Sequence, residues 1–144
     1  MSNKAAIYNL YIDGALKNNS IGVGIVVVDQ KTDKVIYHKG LNITDNIKYK
    51  ELKVSSELAE ISSVIIGLGI CKEMKLKNIK IFYDYYNIYD YLVFESDKTP
   101  LIKYYKEEYE KIRKSFDNIE FIKCKAHDYV KYNMLADTLA RRYL

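Results

Sequence analysis

Ile21-Gly22-Val23-Gly24-Ile25-Val26-Val27-Val28-Asp29 is a run dominated by β-branched side chains. That is the composition of a strand buried at the centre of a sheet. Upstream, Ile7 to Asp13 is apolar and aromatic, and reads as a strand that Gly14 ends. Downstream, the polar segment Lys31-Thr32-Asp33-Lys34 makes a turn, and Val35 to Leu41 returns as a third strand. The first 41 residues are therefore an antiparallel meander. Residues 42–54 carry no clear period and form a long connection.

Beyond the meander the period changes. From about Ser56 to Lys75 the residues Leu58, Ile61, Val64, Ile65, Leu68 and Cys71 recur at intervals of three and four, the helical spacing. Gly67 and Gly69 lower helix propensity there but permit close approach to a sheet. Ile79 to Tyr83 is a strand, Asn87 to Phe94 a short helical stretch, and Leu101 to Phe116 a helix with alternating outer charges. Pro100 suits a first helical position, where its missing N–H costs nothing. Ile119 to Lys123 is a fifth strand and Asn133 to Arg142 a closing helix. The order predicts an α/β protein with a five-stranded mixed sheet flanked by helices: the meander first, then parallel strands joined by right-handed crossovers.

The chain has 144 residues, the size of one domain, so residues 1–144 are expected to fold as a single unit. At that length no disulfide or structural metal is required for folding. Cys71 and Cys124 show no metal-type spacing and no disulfide framework, which points to a reducing, cytoplasmic setting. The first ten residues lack the apolar segment of a secretory leader, and no run approaches a membrane span. A monomer without membrane association is the expectation. The Asn-x-Ser/Thr matches at Asn18 and Asn42 are then accidental.

Three acids fall at informative places. Asp13 closes the first predicted strand and Asp84 follows the fourth. If those strands are adjacent and parallel, both side chains emerge at the carboxyl edge where α/β sites lie. Glu60 lies in the first turns of the long helix, with Val64 and Gly67 at i+4 and i+7, so it stands beside the packed face. A fourth acid, Asp137, sits in Ala136-Asp137-Thr138-Leu139-Ala140, downstream of Lys125-Ala126-His127 and Asn133. Converging carboxylates repel and stay ionised together only where cations neutralise them. Oxygen-only donors favour Mg²⁺ or Mn²⁺, and two such ions suit phosphodiester cleavage. Each acid also has a blander reading: a strand-end Asp is commonly a turn or cap residue, and a Glu near a helix start commonly complements the dipole. His38 reads as structural.

Taken together, these residues resemble type 1 ribonuclease H over nearly the whole chain. Tyr11-Ile12-Asp13-Gly14-Ala15 resembles the family's opening strand, which usually ends Asp-Gly-Ser. Ala59-Glu60, then Gly67-Leu68 and Lys77-Asn78-Ile79, resemble its Ala-Glu helix and following strand. Ile81-Phe82-Tyr83-Asp84-Tyr85-Tyr86 resembles the strand carrying the third acid, and Lys125-Ala126-His127, Asn133 and Ala136-Asp137-x-Leu139-Ala140 the C-terminal motif. Glu57 competes for the helix acid, but only Glu60 keeps this register. The Tyr-Asp-Tyr and Lys-Ala-His variants are most similar to the bacterial branch often fused to a viroplasmin-like hybrid-binding domain, which is expected to be absent here. Departures are Ala15 in place of serine, Val54-Ser55-Ser56-Glu57 in place of a Thr/Asn-rich segment, and Tyr86 where a polar amide is common.

The resemblance implies a ribonuclease H-like fold and an endonuclease that hydrolyses the RNA strand of RNA/DNA hybrids, leaving 5′-phosphate and 3′-hydroxyl ends. Asp13, Glu60, Asp84 and Asp137 would hold two Mg²⁺ ions, with Mn²⁺ as a substitute. His127 would shuttle a proton or aid product release. Asn133 would cap the last helix and orient Asp137. Gly14, Ser56, Tyr85, Tyr86, Asn87 and Asn133 are the candidate hybrid contacts. Rival expectations are a DNA-cutting nuclease of the same superfamily and a nucleic-acid-binding module without catalysis. An unrelated nucleotide-binding protein is disfavoured, because no glycine-rich phosphate loop follows a strand.

The charge balance supports a polyanionic partner once divided. Lys plus Arg number 23 against 19 acids, a net charge of +4. Setting the four candidate ligands aside leaves 15 acids against 23 bases, or +8 on the rest of the molecule. Lys103, Lys106, Lys111, Arg113 and Lys114 could form a basic ridge, but Glu107, Glu108 and Glu110 interleave with them, and a solvated face is the simpler expectation.

Overall fold

The computed structural model describes residues 5–45, 52–94, 99–124 and 131–144. Its strands are β1 (Ile7–Lys17), β2 (Ser20–Asp29), β3 (Lys34–Asn42), β4 (Asn78–Tyr83) and β5 (Asn118–Lys123). Its helices are α1 (Ser56–Glu73), α2 (Asn87–Val93), α3 (Pro100–Ile112), which runs into a 3₁₀ turn at Arg113–Ser115, and α4 (Lys131–Arg141). The strands lie in the order β3-β2-β1-β4-β5. β1–β2 and β2–β3 are antiparallel, while β1–β4 and β4–β5 are parallel, as the element order predicts.

One boundary differs in an instructive way. β1 does not stop at Gly14 but pairs with β2 through Lys17↔Ser20. The reversal is made by Asn18 and Asn19, both with positive φ (48° and 64°), the conformation a two-residue hairpin requires and asparagine tolerates. Asp13 is therefore held inside a ladder, opposite Gly24, rather than at a loose strand end.

Strand alternation gives the sheet two apolar faces. Leu10, Ile12, Ile25 and Val27 pack against Ile61, Val64 and Leu68 of α1, together with Ile79, Ile81 and Tyr105. Burying each such side chain contributes roughly 1.5–3 kcal/mol. Helix α1 is started by Ser55, whose hydroxyl accepts from the Leu58 N–H at 3.1 Å. Gly67 lets α1 approach Leu10 and Ile12, at 3.1–3.2 Å from where a Cβ would stand; Gly69 faces nothing within 4 Å and has no such role. α3 is started by Thr99, which accepts from Ile102 N–H at 3.2 Å, with Pro100 in the first turn.

On the opposite face, Tyr11, Val26 and Val28 pack against Tyr132, Ala136 and Leu139 of α4. Here the helix backbone itself rests on the sheet. A Cβ on Gly22 would strike the Ala140 carbonyl, one on Gly24 the Ala136 carbonyl, and one on Gly40 the Leu139 carbonyl. Tyr132 also donates to the Asp33 carbonyl at 3.0 Å, tying α4 to the β2–β3 turn. Asn133 lies within α4, which begins at Lys131, so it does not cap that helix. Cys71 and Cys124 are free and buried, and burial pushes the Cys71 thiol up to about 12. Among the described residues no helix is long and apolar enough to cross a membrane.

Candidate active site

The parallel pairing of β1 with β4 runs to Tyr11↔Phe82. Asp13 and Asp84 each stand two residues beyond that last pair, side by side at the carboxyl edge of the parallel pairing, Asp13 still in the β1–β2 ladder. The pair beneath them is aromatic: the rings of Tyr11 and Phe82 stack with centroids 4.6 Å apart, and Tyr132 of α4 lies 5.3 Å from Tyr11. The carboxylates thus sit on an apolar floor.

Glu60 arrives from the other layer. β1 crosses the first turns of α1 at Gly14, where a Cβ would strike the backbone of Ala59 and lie 2.5 Å from Glu60 N. Only glycine permits that crossing, and it is the crossing that delivers Glu60 to the edge. Carboxylate oxygens of Asp13, Glu60 and Asp84 lie within 4.8 Å of one another. Asp13 is 6% exposed and accepts from the Gly14 N–H at 2.9 Å, while Asp84 is open to solvent.

The electrostatics follow from this packing. Burial raises the Asp13 carboxyl well above the carboxylate range, and the neighbouring Asp84 and Asp137 raise it further. Glu60 is raised for the same reasons, burial first and then the adjacent Asp13. Burial also raises Asp84, partly offset by backbone N–H groups at its own position and at Tyr85. A set of close carboxylates held above their normal range is short of positive charge. Its donors are all hard oxygens, so it fits a divalent cation such as Mg²⁺ or Mn²⁺.

Asp137 is at the rim of this group. It is near enough to raise Asp13, and its Oδ1 accepts from the Arg141 Nε at 3.1 Å one helical turn away. Glu57, the competing acid on α1, is outside the cluster; its Oε2 accepts from the Tyr91 hydroxyl at 2.8 Å. Tyr85 follows Asp84 directly and Asn87 begins α2; Tyr86 between them is 60% exposed, with the Lys123 ammonium 5.9 Å from its ring centroid. Ser56 is exposed at the start of α1. His127, with Lys125 and Ala126, lies outside the described residues. In the basic segment Lys111 pairs with Glu108 (3.5 Å) and Arg113 with Glu110 (2.9 Å), which is the behaviour of a solvated face.

A family model described as reverse transcriptase-like matches residues 12–143, spanning the three clustered acids and Asp137. The chain belongs to the reverse transcriptase-like family. No curated protein matches it in sequence. Among solved structures it is similar to RNase H1 from the halophilic archaeon Halobacterium salinarum, with TM-score 0.77 and 19% identity over 93% of this chain and 94% of that one. It is equally similar in fold to the N-terminal RNase H domain of Rv2228c from Mycobacterium tuberculosis, with TM-score 0.77 and 17% identity over 96% and 93% of the two chains. LC11-RNase H1, isolated from compost and solved with an RNA/DNA hybrid, superposes with TM-score 0.72 and 18% identity over 94% of each chain. The five-stranded mixed sheet of this family member is the ribonuclease H fold.

Proposed function

We propose that the protein is a ribonuclease H: a divalent-metal-dependent endonuclease that hydrolyses the RNA strand of RNA/DNA hybrids. The observation that carries the reading is the convergence of Asp13, Glu60 and Asp84 at the carboxyl edge of a ribonuclease H fold. Family membership and the neighbour solved with a hybrid support the substrate class.

In this reading Asp13, Glu60 and Asp84 hold the metal, and Asp137 completes the set from α4. Two bound divalent ions would supply the Lewis acidity for water attack and for departure of the 3′-oxygen, leaving 5′-phosphate and 3′-hydroxyl ends. The protein's own work is positional. The β1 ladder and the Gly14 crossing hold the acids together without metal, and the aromatic floor keeps their surroundings poor in water, which strengthens cation binding. Arg141 orients the Asp137 carboxylate. His127 serves as proton shuttle near neutral pH. Gly14, Ser56, Tyr85, Tyr86, Asn87 and Asn133 line the path of the hybrid, where the 2′-hydroxyl distinguishes RNA from DNA. A cytoplasmic monomer suffices for this activity.

The test is incubation with labelled RNA/DNA hybrid, duplex RNA and duplex DNA, each with Mg²⁺ or with EDTA. Metal-dependent cutting confined to the RNA of the hybrid is expected. Cutting of duplex DNA, or tight binding with no cleavage, overturns the reading. Asp13→Asn is expected to abolish turnover with the fold retained.

A further inference from the structure

Glu57 and Glu60 are three residues apart on α1, so their side chains share one side of the helix. Only Glu60 joins the acidic cluster. Glu57 instead meets Tyr91, whose hydroxyl donates to Oε2 at 2.8 Å and accepts from Asn87 Nδ2 at 3.0 Å. Tyr91 is 9% exposed, and burial, reinforced by Glu57, raises its hydroxyl pKa, so it remains a protonated donor at all working pH values.

The elements joined by this pair are the ones that matter. α1 carries Glu60, and α2 begins at Asn87, three residues after Asp84. α2 has only seven residues, and its N-cap, Tyr86, makes no side-chain capping bond. So short a helix has little stability of its own and takes its position from tertiary contacts. Ile88 and Tyr91 pack into the core, and among the described residues two hydroxyls add tertiary bonds: Tyr91 to α1, and Tyr105 of α3, which donates to the Ile88 carbonyl at 2.7 Å. Of the two, only the Tyr91 bond crosses between the segments that bear site carboxylates.

We propose that Tyr91 is a positioning residue: through Glu57 and Asn87 it locks the first turn of α1 to the start of α2 and so sets the spacing of Glu60 and Asp84. The proposal rests on the metal-site reading above. Outer partners that orient ligands typically alter metal affinity or activity by 10–100-fold when removed. A tyrosine serving only to satisfy its own buried hydroxyl would alter neither.

The experiment uses the full chain and Mn²⁺ or Mg²⁺ alone, titrated calorimetrically, beside amide hydrogen exchange on the metal-free protein. Tyr91→Phe is expected to weaken ion binding about tenfold, to lower kcat at fixed Mg²⁺ with the loss recovered at saturating Mg²⁺, and to speed exchange selectively at residues 57–61 and 87–91. Glu57→Ala should reproduce these losses, whereas Glu57→Gln, which keeps an accepting oxygen, should bind the ion as the parent does. Where the parent binds the ion, unchanged affinity in Tyr91→Phe overturns the proposal, whether or not exchange changes. If the parent protein neither binds the ions nor cuts hybrid, the ribonuclease H reading falls; uniform exchange in parent and variant then removes the lock as well, and selective loss of protection at 57–61 and 87–91 sustains it.

Discussion

Beyond the Gly14 crossing at its first turns, helix α1 meets the sheet through interlocking side chains, whereas α4 meets the other face with its main chain, over Gly22, Gly24 and Gly40. Both helices carry acids to the same edge, yet the two interfaces have opposite tolerances. The α1 face is a hydrophobic layer in which volume can be traded among neighbours. On the α4 face the closest neighbours are carbonyls that cannot move aside without moving the helix. A site assembled between such faces is rigid on the α4 side and, away from the Gly14 crossing, soft on the α1 side.

The largest expected effect breaks that contrast on the rigid side. Gly24→Ala puts a methyl into the Ala136 carbonyl, adjacent to Asp137, and should cost about 3 kcal/mol. Chemical denaturation reads that loss, and a lowered metal affinity should accompany it as α4 shifts. A cost below 1 kcal/mol would mean that the two backbones are not in contact.

Next in size is a pH effect that separates the buried acids from the faces around them. The folded-state pKa values of Asp13 and Glu60 are raised, so the native protein holds protons that the unfolded chain releases above about pH 4. By linkage, the metal-free stability these two groups contribute is full below that point and falls as pH rises through neutrality toward the raised values. Asp13→Asn removes the repulsion and should raise the metal-free melting temperature at pH 8 while changing little at pH 4. Added Mg²⁺ should stabilise the parent more than the variant. A flat melting profile between pH 5 and 8 would contradict the packing of these carboxylates.

A single methyl removed tests the soft side. Ile61→Val, on the fully buried face of α1, should cost about 1 kcal/mol, less than the methyl added at Gly24. Smallest of all, Gly69→Ala meets open space and should stabilise α1 by roughly 0.5–1 kcal/mol in thermal melts. Destabilisation there would show that Gly69 does have a packing role.

Much of the architecture was readable because it depends on local pattern. The β-branched run at Ile21–Asp29 and the three-and-four spacing from Leu58 to Cys71 each encode an element and its buried face. The β1 terminus was misplaced because Asp13-Gly14 carries a local stop signal, while Asn18-Asn19 places the hairpin turn four residues later. Gly22 and Gly24, alternate residues on one face of a strand, signal close approach by another backbone. They do not say which helix approaches. Asn133 fell inside α4 rather than at its cap, because helix starts are set by local bonding geometry that motif spacing does not specify.

The sequence alone determined the element order and the mixed sheet, because periodicity and motif spacing are properties of neighbouring residues; the acids it nominated by their place in the order and by resemblance. Motif register preferred Glu60 to Glu57 but offered no physical cause, and nothing in the sequence pointed to Tyr91, which lies 34 positions from Glu57. The tertiary structure supplied that cause: α1 crosses β1 at Gly14, so one glutamate enters the cluster while the other is held by a tyrosine. Distances between residues far apart in the chain are fixed by how whole elements pack, and no local pattern encodes them.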